Sequence, residues 1–187
     1  MSSENRLTHV STHDERPLVA TASQTVGPFF SFGLTSNTAL GRMARPDTPG
    51  ERIRLLVRVI DGAGTPVPDA MVEMWHADHG GTFLFGRLET DPAGACAFET
   101  VFPGPAALDA REAAHINLCI FMRGLLRHLY TRLYFDGDPA LEADAILAAV
   151  PPDRRGTLIA RRDGTSSSAW TFDVHLQGDR ETVYFDL

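Results

Sequence analysis

Along residues 115–122 the sequence HINLCIFM sets Ile116, Leu118, Ile120 and Met122 at every second position. That alternation lays an apolar stripe on one face of a β-strand. Together with LYTRLYF at 129–135 it is the strongest strand signal in the chain. RIRLLVRVIDGAGTPVPDAMVEMWHAD predicts two strands, about 53–60 and 70–76, joined by a turn rich in Gly and Pro. A further pair is predicted at about 83–89 and 94–101, around the turn DPAG. LIARR, AWTFDVHL and ETVYFDL supply three more short strands toward the C-terminus. One segment, PALEADAILAAV, reads as a helix near 139–149. Asp138 can cap it, Pro139 suits its first turn, and Pro151-Pro152 stop it. LVATASQTVGPFFSFGL mixes polar and aromatic residues around Gly27 and Pro28 and reads as an ordered loop, and GRMARPDTPGE as a connection. Many short strands with turns between them predict an all-β fold, an antiparallel β-sandwich. A doubly wound α/β fold needs more helices than the pattern offers. No internal repeat or low-complexity segment is visible.

Length and charge narrow this picture. The chain of 187 residues suits one domain with a substantial core, and 43% apolar residues support a folded protein. Its start, MSSENRLTHVSTHDERP, is polar and lacks the apolar run of a secretory signal. Residues 1–22 are therefore expected to be a flexible arm and 23–187 the domain. No apolar run reaches the roughly 20 residues of a membrane span. Acidic residues number 24 against 17 basic ones, all of them arginine, and the net charge of -7 disfavours nucleic acid as a partner. A local cationic pocket for a small carboxylate stays open. Cys96 and Cys119 fall inside strand-like runs and read as buried free thiols in a reducing compartment, which points to a cytoplasmic protein.

The chemistry is sparse. There is no phosphate loop, nucleotide fingerprint, CxxC pair or HExxH signature, and the GG at 80–81 lacks a strand-loop-helix setting. The serines of TSSSAW sit in a loop, and no Ser/His/Asp hydrolase can be assembled. Of seven histidines, His9 and His13 lie in the leader, and His128 and His175 read as isolated strand residues. His76 and His79 could meet one metal only if the chain turned sharply between them. His115 opens a strand with Asn117 two places on, the same side of that strand, where a metal site would want a second imidazole. With Glu112 before it, a complete ligand shell is hard to draw, and the residues alone favour a structural histidine. Arg123 lies roughly 26 Å further along extended chain, too far to share a compact site with His115. Gly124 allows a turn there, leaving the guanidinium either a solvated surface charge or a five-donor fork for a carboxylate or a partner subunit. Phe29, Phe30 and Phe32 crowd one segment, and any that face outward would anchor a subunit interface.

Taken in order, SQTVGPFF, VEMWHADHGG, HINLCIF with MRG after it, TRLYFDGD and QGDRETVYFDL resemble the intradiol ring-cleaving dioxygenases. The resemblance runs from about Ser23 to Leu187. It implies a two-chain enzyme of related β-sandwich subunits, assembled into a higher-order oligomer. A partner chain holds non-haem Fe(III) through two tyrosines and two histidines. Against that pattern His115 matches the first ligand histidine, and Asn117 stands where the second belongs. Phe83, in GGTF, takes the place of one tyrosine and Ala106, in PGPA, that of the other. Glu112 replaces an arginine of the iron-bearing chain, and Arg132 replaces a glutamine. The resemblance thus implies that this chain binds no catalytic iron. Arg123 matches an arginine that reaches the pocket at the subunit boundary, while Thr25, Gly27 and Pro28 match a segment that walls it. The implied reaction inserts both atoms of O2 into a small aromatic acid with two adjacent hydroxyls and opens the ring between them. The alternative is a binding or scaffold protein on the same sandwich, with a degenerate metal site.

Overall fold

The computed structural model describes residues 20–27, 29–104, 112–164 and 166–186. Eight strands carry the fold: β1 (Arg52–Ile60), β2 (Met71–Ala77), β3 (Phe83–Glu89), β4 (Ala95–Val101), β5 (His115–Phe121), β6 (Leu129–Phe135), β7 (Ile159–Arg162) and β8 (Ala169–His175). They form one continuous sheet in the order β3-β2-β5-β6-β7-β8-β1-β4, and the four-residue β7 links two layers of longer strands. The inward residues alternate as the sequence pattern requires. Leu55, Val57 and Val59 of β1 meet Val72 and Met74 of β2, Ile116, Leu118 and Ile120 of β5, and Phe172 of β8 in a common core. Burying each such side chain contributes about 1.5–3 kcal/mol. Phe102, Phe135 and Trp170 close one region of that core, with the Phe135 and Trp170 rings edge to face at 4.9 Å.

The expected sandwich is present, with one correction to its strand directions. β1 runs parallel to β8 and β6 parallel to β7, while the other pairings are antiparallel. A parallel neighbour needs a crossover of a dozen or more residues. The segment between β6 and β7, which holds two 3₁₀ turns and a short helix, supplies it.

That segment also corrects the single helix expected near 139–149. It splits into a 3₁₀ turn, Pro139–Ala143, and a short helix α2, Ala145–Ala149, because Asp144 between them is extended at φ -67°, ψ 119°. Asp144 is fully buried. Its carboxylate accepts from the amides of Leu147 at 2.7 Å and Ala113 at 2.9 Å, and from the Tyr134 hydroxyl at 3.2 Å. Continuing the helix would withdraw this group from the contacts that tie the crossover to β5 and β6. Two further segments differ from the sequence pattern. Phe30–Leu34, expected to be loop, forms a short helix α1. Residues 181–186 of ETVYFDL form no strand, because Thr182 and Phe185 send their amides to different elements, His175 and Tyr130. Of the expected arm, residues 20–22 are exposed coil and 1–19 lie outside the described residues, with His9 and His13.

Candidate functional site

The two ends of β5 present opposite chemistry. At its exit Arg123 and Gly124 make a turn, with Gly124 at φ +90°, a conformation that side chains disfavour. The Gly124 amide donates to Thr25 Oγ1 at 2.8 Å, joining two segments 99 residues apart. Arg123 lies 3.4 Å from the Asp69 carboxylate with 70% of its side chain in solvent. Such an exposed pair is worth between nothing and about 1 kcal/mol, so it orients the guanidinium without consuming it. Asp69 sits at φ +58°, uncommon for a residue bearing a side chain. Val26, Gly27, Phe30, Ser31, Asp69 and Arg123 line a cavity of about 260 Å³ here. The expected grouping of Arg123, Thr25 and Gly27 is therefore on one wall; Pro28 lies outside the described residues. Phe29 and Phe32 stand exposed beside it, their ring centroids 6.2 Å apart. Chemically, this wall can receive an anionic group next to an apolar ring.

At the entry of β5 almost every polar atom is spent. His115 Nδ1 lies 2.9 Å from the Ala113 carbonyl, which can only accept, so the ring carries its proton there and Nε2 keeps a lone pair. Nε2 faces Glu112 Oε2 at 3.6 Å, and the same oxygen accepts from Arg132 at 2.9 Å. The cross-strand register sets Arg132 opposite Asn117 and Tyr134 opposite His115. The Tyr130 hydroxyl donates to Asn117 Oδ1 at 2.6 Å and that of Tyr134 to Asp144. Both phenol oxygens are thus free to accept from the guanidinium. Burial works against the charge on Arg132, but these hydroxyls outweigh it and its pKa is raised. Burial lowers the pKa of His115, opposed by the Ala113 carbonyl and reinforced by Arg132. Burial, reinforced by Asp144, raises that of Tyr134.

Ferric iron calls for anionic and imidazole donors gathered around an empty centre. This end offers one neutral imidazole, a carboxylate already paired with Arg132, an amide oxygen already bonded, two phenols whose hydroxyls are donated elsewhere and a fixed positive charge. The donor set does not fit the metal. Phe83, at the start of β3, is exposed and has no donor atom, and Ala106 lies outside the described residues. Among the described residues no group of three or more His, Cys, Asp or Glu could hold a metal ion.

The remaining histidines are separate. The chain does turn after β2, but His76 is buried there with its ring nitrogens against Ala77 O and Thr100 Oγ1, and His79 is exposed. His128 precedes β6 and packs on Phe121, and His175 closes β8. Cys96 and Cys119 are free and buried, and burial pushes both thiols up to about 12. The sequence pattern missed Asp69, Tyr130, Tyr134 and Asp144. Only the Pro68-Asp69 turn carried a local signal; the other three look like ordinary strand or helix residues until the register is known.

A family model described as Dioxygenase matches residues 25–178. The chain is 39% identical to the protocatechuate 3,4-dioxygenase alpha chain of Burkholderia cepacia, over 91% of this chain and 98% of that one. It is 32% identical to the protocatechuate 3,4-dioxygenase beta chain of the same organism, over 69% and 66%. Among solved structures it is similar to the dioxygenase domain of a dioxygenase carbohydrate-binding protein fusion from Streptomyces sp. SirexAA-E. The TM-score is 0.61 at 24% identity, covering 86% of this chain and 97% of that one.

Proposed function

The chain belongs to the intradiol ring-cleaving dioxygenase family, and on that premise we propose that it is the alpha chain of a protocatechuate 3,4-dioxygenase. It works in a complex with a beta chain that holds Fe(III), and binds none itself. The complex adds both atoms of O2 to protocatechuate and opens the ring between its hydroxyl-bearing carbons, giving 3-carboxy-cis,cis-muconate.

The observation that carries this reading is the 2.8 Å bond between Gly124 and Thr25. It turns two distant segments into one wall whose guanidinium is mostly in solvent. The cavity on that wall, about 260 Å³, falls short of the roughly 300–1,000 Å³ that small-molecule pockets usually have. A second surface completes it. Arg123 supplies positive charge for the carboxylate of the aromatic acid, since guanidinium and carboxylate form strong charge-assisted hydrogen bonds. The segment from Thr25 through Gly27 to Pro28 limits access and shape. The exposed Phe29–Phe32 pair supports burial against the partner and a higher-order alpha-beta assembly. The two unpaired thiols support a cytoplasmic setting.

The test is to purify the chain alone and co-expressed with a beta chain, then measure iron and protocatechuate cleavage in both. Iron and activity are expected only in the complex. Stoichiometric iron and ring cleavage in the isolated chain would contradict the reading.

A further inference from the structure

Loss of ligands is one way to abolish a metal site; filling it is another. Half of a site persists at the entry of β5. His115 keeps a lone pair on Nε2, because Nδ1 is committed to Ala113 O, and the carboxylate of Glu112 lies 3.6 Å from it. An imidazole and a carboxylate side by side are ordinary ligands for a divalent cation. Yet that carboxylate oxygen is bonded to Arg132 at 2.9 Å, and only 18% of the Arg132 side chain is exposed. The strand register sets the same arginine opposite Asn117, whose oxygen is occupied by Tyr130. Glu112 is thus held by the guanidinium, whose charge also acts on His115, while Tyr130 holds Asn117.

We infer that Arg132 is a built-in cation: its guanidinium occupies the residual site, neutralises Glu112 and bars a metal ion independently of the missing ligands. Arginine suits the task because it stays charged under all ordinary conditions and its planar fork can serve several acceptors at once. The consequence is specific. Restoring the second imidazole alone does not restore metal binding, because the positive charge still repels an incoming ion and still holds Glu112. Removing that charge as well opens the site. The inference concerns this chain's own residues and does not depend on how it works with a partner.

The test compares the Asn117→His variant with Asn117→His/Arg132→Gln in the full chain. Each is titrated with cobalt(II) chloride and followed by visible absorption and by equilibrium ultrafiltration. Cobalt is expected to bind the double variant at least about tenfold more tightly, the electrostatic benefit of removing a like charge from the site. Equal affinity in the two variants overturns the inference, and so does a folded double variant that takes up no cobalt. Asn117→His/Arg132→Lys keeps the positive charge and guards against a double variant too unstable to titrate. It is expected to bind cobalt no more tightly than the single variant, and tighter binding by it also overturns the inference.

Discussion

The two ends of β5 differ in what their charged groups have left to give. At the entry, Arg132, Glu112, His115, Asn117, Tyr130, Tyr134 and Asp144 satisfy one another in a largely buried network. At the exit, Arg123 meets a single carboxylate at 3.4 Å and otherwise faces solvent. Both ends carry an arginine and an acid, so composition does not separate them. Burial does. A buried pair must be internally complete because unpaired charge is costly in a low dielectric, whereas an exposed pair forms and breaks at little cost. The closed end therefore holds structure, and the open end is available for recognition.

The largest expected effect breaks the closed end. Asp144→Ala strips the cap from α2 and leaves the buried Ala113 amide without an acceptor, at a combined cost of about 3 kcal/mol. The urea midpoint should fall with an unchanged m-value. Acid is a milder probe of the same side. Burial lowers the pKa of His115 and of His76 in the fold, so below about pH 6.5 the unfolded chain binds protons that the folded chain refuses. Stability is therefore retained above that pH and lost as pH falls toward the folded values, by at most about 1.4 kcal/mol per pH unit for each histidine. Urea midpoints of the protein and of His115→Gln between pH 7 and 5.5 should diverge in slope, the variant being less acid-sensitive. The smallest effect is at the open end. Thr25→Val leaves the exposed Gly124 amide to water, at about 0.5–1 kcal/mol. It should loosen the wall and raise KM in the two-chain enzyme a few-fold, with melting temperature almost unchanged.

Much of the strand framework was legible because β-alternation is local. The alternating residues from Ile116 to Met122 predict the inner face of β5, and Ile116, Leu118 and Ile120 are fully buried there. The turn at Gly124 was legible for the same reason. What escaped was set by distant partners. Asp144 looks like a helix residue in PALEADAILAAV, and nothing in that run reveals that it also caps Ala113, 31 positions away. The alternation in ETVYFDL suggested a strand, but the amides of Thr182 and Phe185 find acceptors on two elements that no single ladder can follow. At the site, Arg123, Thr25 and Gly27 were grouped by resemblance, and the fold brings them to one wall. Asp69 was not, since its approach to Arg123 depends on a backbone turn that only the folded chain defines.

The central claim, that the exit of β5 recognises the carboxylate while the metal belongs to the partner, is tested most directly by Arg123→Ala in the assembled two-chain enzyme. Losing a hydrogen bond to a charged group costs about 1.5–3 kcal/mol. KM for protocatechuate should therefore rise about 10- to 100-fold while iron per assembly stays constant. An unchanged KM at full iron content would contradict the account.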